Sequence, residues 1–132
     1  MIAAELAVPA IEVLVVDDDE LVRAGLSLLL GSAGDLRVVG EAADGEQAVA
    51  LARRLRPQVI LMDLFMPVLD GIEATQRLAD EHSTARVVVF TSSREKSRLA
   101  GAFAAGAVGY LVKDCNPQDL VDAVRAAARA IV

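Results

Sequence analysis

Three carboxylates, a hydroxyl and a lysine stand where the apolar runs of this chain give out. Ile11 to Val16 ends in Asp17-Asp18-Asp19-Glu20, and Val59-Ile60-Leu61-Met62 ends in Asp63. Arg86 to Phe90 ends in Thr91-Ser92-Ser93, and Val108 to Val112 ends in Lys113-Asp114. Asp17, Asp18 and Asp63 bring three negative charges and Lys113 one positive, which leaves −2. Gathered in one place, like charges about 4 Å apart repel by about 4 kcal/mol at an effective dielectric of about 20. A divalent cation brings the sum to zero. All-oxygen ligands suit Mg2+, which keeps several waters and takes one or two carboxylates directly. Thr91 and Lys113 supply the donors that a bound dianion needs. Such a site is built to accept a phosphoryl group: Asp63 attacks, Lys113 offsets charge, and the transferring oxygens are left for Mg2+ to bridge. Taken singly, each residue is equally well a helix cap, a turn former or a solvated strand end.

To converge, these residues must share one edge of one sheet. The four-residue run before Asp63 reads as a strand buried on both faces. Pro67 and Asp70-Gly71 then punctuate a loop before a helix from about Ile72 to Asp80. The first run is a strand over Ile11 to Val16, followed at once by a helix with Leu21, Val22, Gly25, Leu28 and Leu29 at helical spacing. Asp19 or Asp18 caps that helix, and Gly31 and Gly34 end it. Leu36 to Gly40 is a short second strand, and Gln47 to Arg56 a second helix with Ala48, Leu51, Ala52 and Leu55 inward. After the Arg86 strand comes a fourth helix with Leu99, Ala102, Phe103 and Gly106 on one face. After the Val108 strand comes a fifth, with Asn116 at the cap, Pro117 at the first helical position and Asp119 three residues after the cap. Its inward line is Leu120, Val124, Ala127 and Ile131. Five strands alternating with five helices give an α/β fold, a doubly wound parallel sheet with helices on both faces. In such sheets the carboxyl ends of the strands lie at one edge, where ligands bind.

With 132 residues the chain makes one domain with a real core. It is 55% hydrophobic but 3% aromatic, so that core must be Val, Leu, Ile and Ala. A net charge of −6 makes it a poor partner for nucleic acid or an anionic membrane surface. One cysteine, Cys115, excludes an internal disulfide and agrees with a reducing compartment. No apolar run approaches the ~20 residues that span a bilayer, and the N-terminus has no basic signal-peptide region. The reading is a soluble, cytoplasmic chain with a tail over residues 1–10 and one domain over 11–132. The apolar end Ile131-Val132 suggests a piece cut from something longer.

The motifs Val15-Val16-Asp17-Asp18, Asp63 with Met66-Pro67 and Asp70-Gly71, Thr91-Ser92, and Gly109-Tyr110-Leu111-Val112-Lys113 occur together and in order. In these the chain resembles the receiver domain of two-component response regulators, over about residues 11 to 130. The resemblance implies a flavodoxin-like (βα)5 fold with strand order 2-1-3-4-5. It implies that Asp63 takes a phosphoryl group from a phosphohistidine on a sensor histidine kinase. Asp17, Asp18, Asp63 and the backbone carbonyl of Phe65 are then the Mg2+ ligands. Thr91 hydrogen-bonds the phosphoryl group and Tyr110 reorients with it, biasing a surface made of the fourth helix, the fifth strand and the fifth helix. Asp114 after Lys113, and Arg23-Ala24-Gly25 in the first helix, resemble receivers of the NarL/FixJ (LuxR) type. Those join a helix-turn-helix output domain, which these residues cannot form. Transcription control through DNA is therefore expected only through that domain, and pairing of two copies through receiver surfaces. Phe65 departs from the pattern, since that position is more often polar. Its ring is expected to limit water access and change the lifetime of the phosphoryl group.

Two rival functions use the same residues. A haloacid-dehalogenase-type phosphatase has Asp-x-Asp after strand one, as Asp17-x-Asp19 does here, with Asp17 as nucleophile; Leu21 stands where it wants Thr or Val. A pseudo-receiver binds a partner and never takes phosphate. A flavin-binding protein of the same fold wants a Ser/Thr/Gly-rich loop where four acidic residues stand. Elsewhere, His82 near the end of the third helix suits the helix dipole, Arg53, Arg54 and Arg56 read as a solvated helix face, and Cys115 as incidental. The Ala-rich fifth helix fits either ordinary helix propensity or a smooth face for a partner.

Overall fold

Each apolar run is a strand in the computed structural model, which describes residues 9–129. Strands β1 (Ile11–Val16), β2 (Leu36–Ala42), β3 (Val59–Met62), β4 (Arg86–Thr91) and β5 (Gly109–Val112) alternate with helices α1 (Glu20–Gly31), α2 (Gly45–Leu55), α3 (Gly71–Asp80), α4 (Lys96–Ala105) and α5 (Pro117–Arg129). The strands pair in parallel in the order β2-β1-β3-β4-β5, as the resemblance implied. The tail before Pro9, the inward position of Ile131 and the Ile131-Val132 end lie outside the described residues.

The sheet is central because its strands are apolar on both sides. Every residue of β3 is buried. Its Ile60 and Met62 join Leu14 and Val16 of β1 in a core closed by α2, α3 and α4. Its Val59 and Leu61 join Val13 and Val15 in a second core closed by α1 and α5. The chain leaves β1 toward β2 and returns on the other side of β1 at β3, so the order reverses between these two strands. That reversal opens a crevice beyond their carboxyl ends.

Several expectations need correction. Leu21 and Leu28 of α1 are 79% and 78% exposed, while Leu26 and Leu30 are buried. α1 is apolar around most of its circumference, so spacing alone admits two stripes; the sheet takes Leu26 and Leu30 with Val22 and Leu29 beside them. In α4 the inner line is Ala102 and Ala105, and Leu99 and Phe103 stay 37% and 45% exposed. Small residues let α4 lie close: a Cβ on Gly101 would stand 3.3 Å from Ile72. β2 runs on to Ala42 because its pairing with β1 slips by one residue after Val13, which sets Glu41 opposite Val15. β5 begins at Gly109, after Val108.

Candidate functional site

β1 delivers Asp17 to the crevice with its backbone held at both ends. Its N–H donates to the carbonyl of Ala42, and its carbonyl accepts from Arg23 Nη1 at 2.7 Å. Its Oδ1 accepts from the N–H of Asp19 at 2.9 Å. Asp19 in turn caps α1, accepting from the N–H groups of Leu21 and Val22. The acidic turn is thus a chain of two Asx caps; Asp17 is buried, and Asp18 and Asp19 are exposed.

β3 delivers Asp63 beside it. The N–H of Asp63 donates to Val16, and its Oδ1 accepts from the N–H of Leu64 at 2.8 Å. Two close backbone approaches shape the loop between β3 and α3. Gly71 donates to the carbonyl of Leu64, and a Cβ there would lie 2.0 Å from the Asp63 carbonyl oxygen. Gly45 donates to the carbonyl of Leu69, and a Cβ there would lie 2.3 Å from that oxygen. The loop is therefore seated on the backbone of both helix starts. It carries a tight turn: Leu69 N–H donates to Pro67 across Val68, whose φ is 70°. A β-branched residue rarely adopts that conformation.

β5 hands over Lys113, whose N–H is pinned to the Thr91 carbonyl. Lys113 Nζ donates to Asp17 Oδ2 at 2.6 Å and to Asp63 Oδ2 at 3.1 Å. Both carboxylates are buried. Burial drives the Asp63 carboxyl above the ordinary range; the Asp17 charge adds to this, and the Lys113 charge opposes it. Burial alone would lower the Lys113 ammonium, but the two carboxylates outweigh it and hold it above its usual value. Thr91 Oγ1, at the end of β4, is buried and has no hydrogen-bond partner among the described residues.

Carboxylate oxygens of Asp17, Asp18 and Asp63 lie within 4.8 Å of one another. After Lys113 this group still carries an excess of two negative charges. A hard, all-oxygen donor set with that excess fits a divalent cation, and the cluster can hold one. The fold thus brings together Asp17, Asp18, Asp63 and Lys113, with Thr91 on the strand next to Asp63. Phe65 is 44% exposed and lies under the Arg98 guanidinium, 5.0 Å from its ring centroid. Tyr110 is half-buried against the core under α2, α3 and α4, and its hydroxyl donates to the Ser93 carbonyl at 2.9 Å.

The remaining singled-out residues stay outside the crevice. Arg53 is not merely solvated: it pairs with Glu81, joining the ends of α2 and α3, although both side chains are substantially exposed. Arg56 ends α2 in the left-handed region. His82 lies two residues past α3 with a φ of 58°, and its N–H closes the turn onto Ala79. Cys115 is half-buried, and burial raises its thiol. The hydrogen bond from Arg23 to Asp17 goes to a backbone carbonyl, which leaves no pattern of side-chain types in the sequence. The one available signal is the spacing of Arg23, four residues after the capping Asp19.

A sequence model described as the response regulator receiver domain matches residues 13–125. The transcriptional regulatory protein LiaR of Bacillus subtilis is 44% identical over 119 residues, which cover 90% of this chain and 56% of LiaR. The nitrate/nitrite response regulator protein NarL of Escherichia coli K12 is 41% identical over 116 residues, 88% of this chain and 54% of NarL. The chain therefore spans about half the length of the curated relatives it matches. Among solved structures, the signal receiver domain of a NarL response regulator from Mycobacterium tuberculosis superposes with a TM-score of 0.91 at 32% identity, covering 94% of this chain and all of that one.

Proposed function

This chain belongs to the response regulator receiver domain family, in its NarL/LuxR-type branch, and from that premise we propose that it is a phosphorylation-dependent switch with Asp63 as acceptor. The observation that carries the reading is the buried Asp63 carboxylate, with Lys113 on one side and the unpartnered Thr91 hydroxyl on the next strand. The donor is a phosphohistidine of a sensor histidine kinase. An Asp63 carboxylate oxygen attacks phosphorus; the new O–P bond forms as the P–N bond breaks, and its electron pair returns to the imidazole. Lys113 is placed to follow the charge as it moves onto the phosphoryl oxygens. Asp17, Asp18, Asp63 and the Phe65 carbonyl would hold Mg2+, which supplies charge neutralisation at those oxygens when bound.

The acyl phosphate carries about one more negative charge than the aspartate it replaces. Thr91 Oγ1 then gains an acceptor, and its movement changes the room beside β4. Tyr110, already tied to Ser93 in the loop before α4, reads that change and biases α4, β5 and α5. The Phe65 ring limits water access to the acyl phosphate. The chain thereby controls an output domain of the helix-turn-helix type, in keeping with LiaR being a transcriptional regulatory protein and with the half-length match. It works in the cytoplasm and pairs with a second receiver; among the described residues no helix is long and apolar enough to cross a membrane.

The test is intact-mass analysis after incubation with acetyl phosphate. One added phosphoryl group that requires Mg2+ supports the switch. No addition with or without Mg2+ would leave a binding module that never takes phosphate.

A further inference from the structure

In the sequence Arg23 stands out only as part of Arg23-Ala24-Gly25, a subfamily trait. In the fold it has a built environment. Its side chain is only 16% exposed. Nη1 donates to the Asp17 carbonyl at 2.7 Å, and Nε donates to Glu41 Oε1 at 3.3 Å. The other Glu41 oxygen accepts from Ser27 Oγ at 3.1 Å. Arg23 and Ser27 are one turn apart on α1, and Glu41 faces them from β2, opposite Val15. A helix face and an edge strand thus grip one guanidinium, and its free edge is aimed at the first peptide of the acidic turn.

That peptide sets the site. The plane joining Asp17 to Asp18 is fixed when its carbonyl is fixed, and the N–H on the other side of Asp17 is already tied to Ala42. Asp18 is exposed, so the backbone it follows decides whether its carboxylate reaches the cluster. The Asp19 N–H to Asp17 Oδ1 bond closes the turn from the side-chain side, and the Arg23 bond is the hold on the Asp17 carbonyl itself. We propose that Arg23 is a positioning residue that orients the Asp17-Asp18 peptide, so that both carboxylates face Asp63 and receive the divalent cation. This rests on the phosphoacceptor reading above.

Two effects of removing Arg23 have opposite signs, which makes the inference testable. Charge alone predicts tighter cation binding in Arg23→Ala, because a positive group leaves the neighbourhood of three carboxylates. Positioning predicts weaker binding; losing a group that orients metal ligands typically costs about 10–100-fold in affinity. Arg23→Lys keeps the charge but cannot bridge two acceptors with a planar fork, so positioning predicts a loss there too and charge predicts none.

The experiment is an amide chemical-shift titration with Mg2+ on wild type, Arg23→Ala and Arg23→Lys, with thermal melts to show that each is folded. The expected result is affinity about 10-fold or more weaker in both variants, with the lost shift changes centred on Asp17 to Asp19. Folded variants that bind Mg2+ as tightly as wild type, or more tightly, would overturn the inference alone. Wild-type protein that takes up no Mg2+ would remove the reading of the site and this inference with it. Should Arg23→Ala not fold, Arg23→Lys decides.

Discussion

Replacing Lys113 with methionine should destabilise the metal-free protein most at neutral pH and least in mild acid. Nζ stands 2.6 Å from Asp17 Oδ2 and 3.1 Å from Asp63 Oδ2. At an effective dielectric of about 20, those separations correspond to about 6 and 5 kcal/mol of attraction. Desolvation of the three groups offsets most of this. Removing one partner of a buried pair nonetheless costs about 3–5 kcal/mol, because the other charge is stranded. The Lys113 side chain is 25% exposed, so the low end applies, about 3 kcal/mol, or a fall of about 10 °C in Tm for a domain of this size. The pH dependence follows from Asp63, whose carboxyl burial holds above the ordinary range. The folded state binds that proton more tightly than the unfolded chain, so the linked stability is present in acid and is lost as pH rises through the folded value. Deleting Lys113 raises that value further. The gap between variant and wild type therefore narrows on acidification and widens toward neutrality. Mg2+ should recover more Tm in the variant, whose cluster is more negative. The assay is thermal unfolding by circular dichroism from about pH 5 to about pH 8, with and without Mg2+. Equal melting at neutral pH, or a gap that grows as pH falls, would refute the electrostatic picture of the site.

Val68→Asn should raise Tm by about 3 °C, because the side chain is 74% exposed and asparagine tolerates a φ of 70° at about 1 kcal/mol less strain; an unchanged or lower Tm contradicts strain at that turn. Gly71→Ala should destabilise by about 2–3 kcal/mol in a denaturant melt, since its Cβ meets the Asp63 carbonyl backbone at 2.0 Å; a wild-type midpoint would show that the loop yields freely. Phe65→Asn should hasten loss of the phosphoryl group, followed by intact mass after the donor is removed; an unchanged decay rate removes the ring from any role in water access.

The strands and the site edge were legible because a parallel sheet buried on both faces leaves unbroken apolar runs, and each run here ends on a polar residue. Asp17, Asp63, Thr91 and Lys113 could be placed from that alone. Helix faces were harder to read. In a chain that is 55% hydrophobic, α1 offers more apolar positions than one buried stripe needs, so the spacing picked out Leu21 and Leu28 and passed over the buried Leu26 and Leu30. α4 misled for a related reason: its Ala102 and Ala105 are buried, while its larger Leu99 and Phe103 are left more than a third exposed. The extension of β2 depends on a register slip against β1, a relation between two strands that neither sequence carries. The grip of Arg23 on a backbone carbonyl and the Arg98 guanidinium over Phe65 depend likewise on tertiary placement.

The measurement closest to the central claim is to locate the phosphoryl group. Protein treated with acetyl phosphate and Mg2+ is reduced with borohydride, which converts an acyl-phosphorylated aspartate to homoserine, and its peptides are mapped by mass. Homoserine at position 63, abolished in Asp63→Asn, is the predicted result. Homoserine at position 17 or 18, or label that survives Asp63→Asn, would contradict Asp63 as the acceptor.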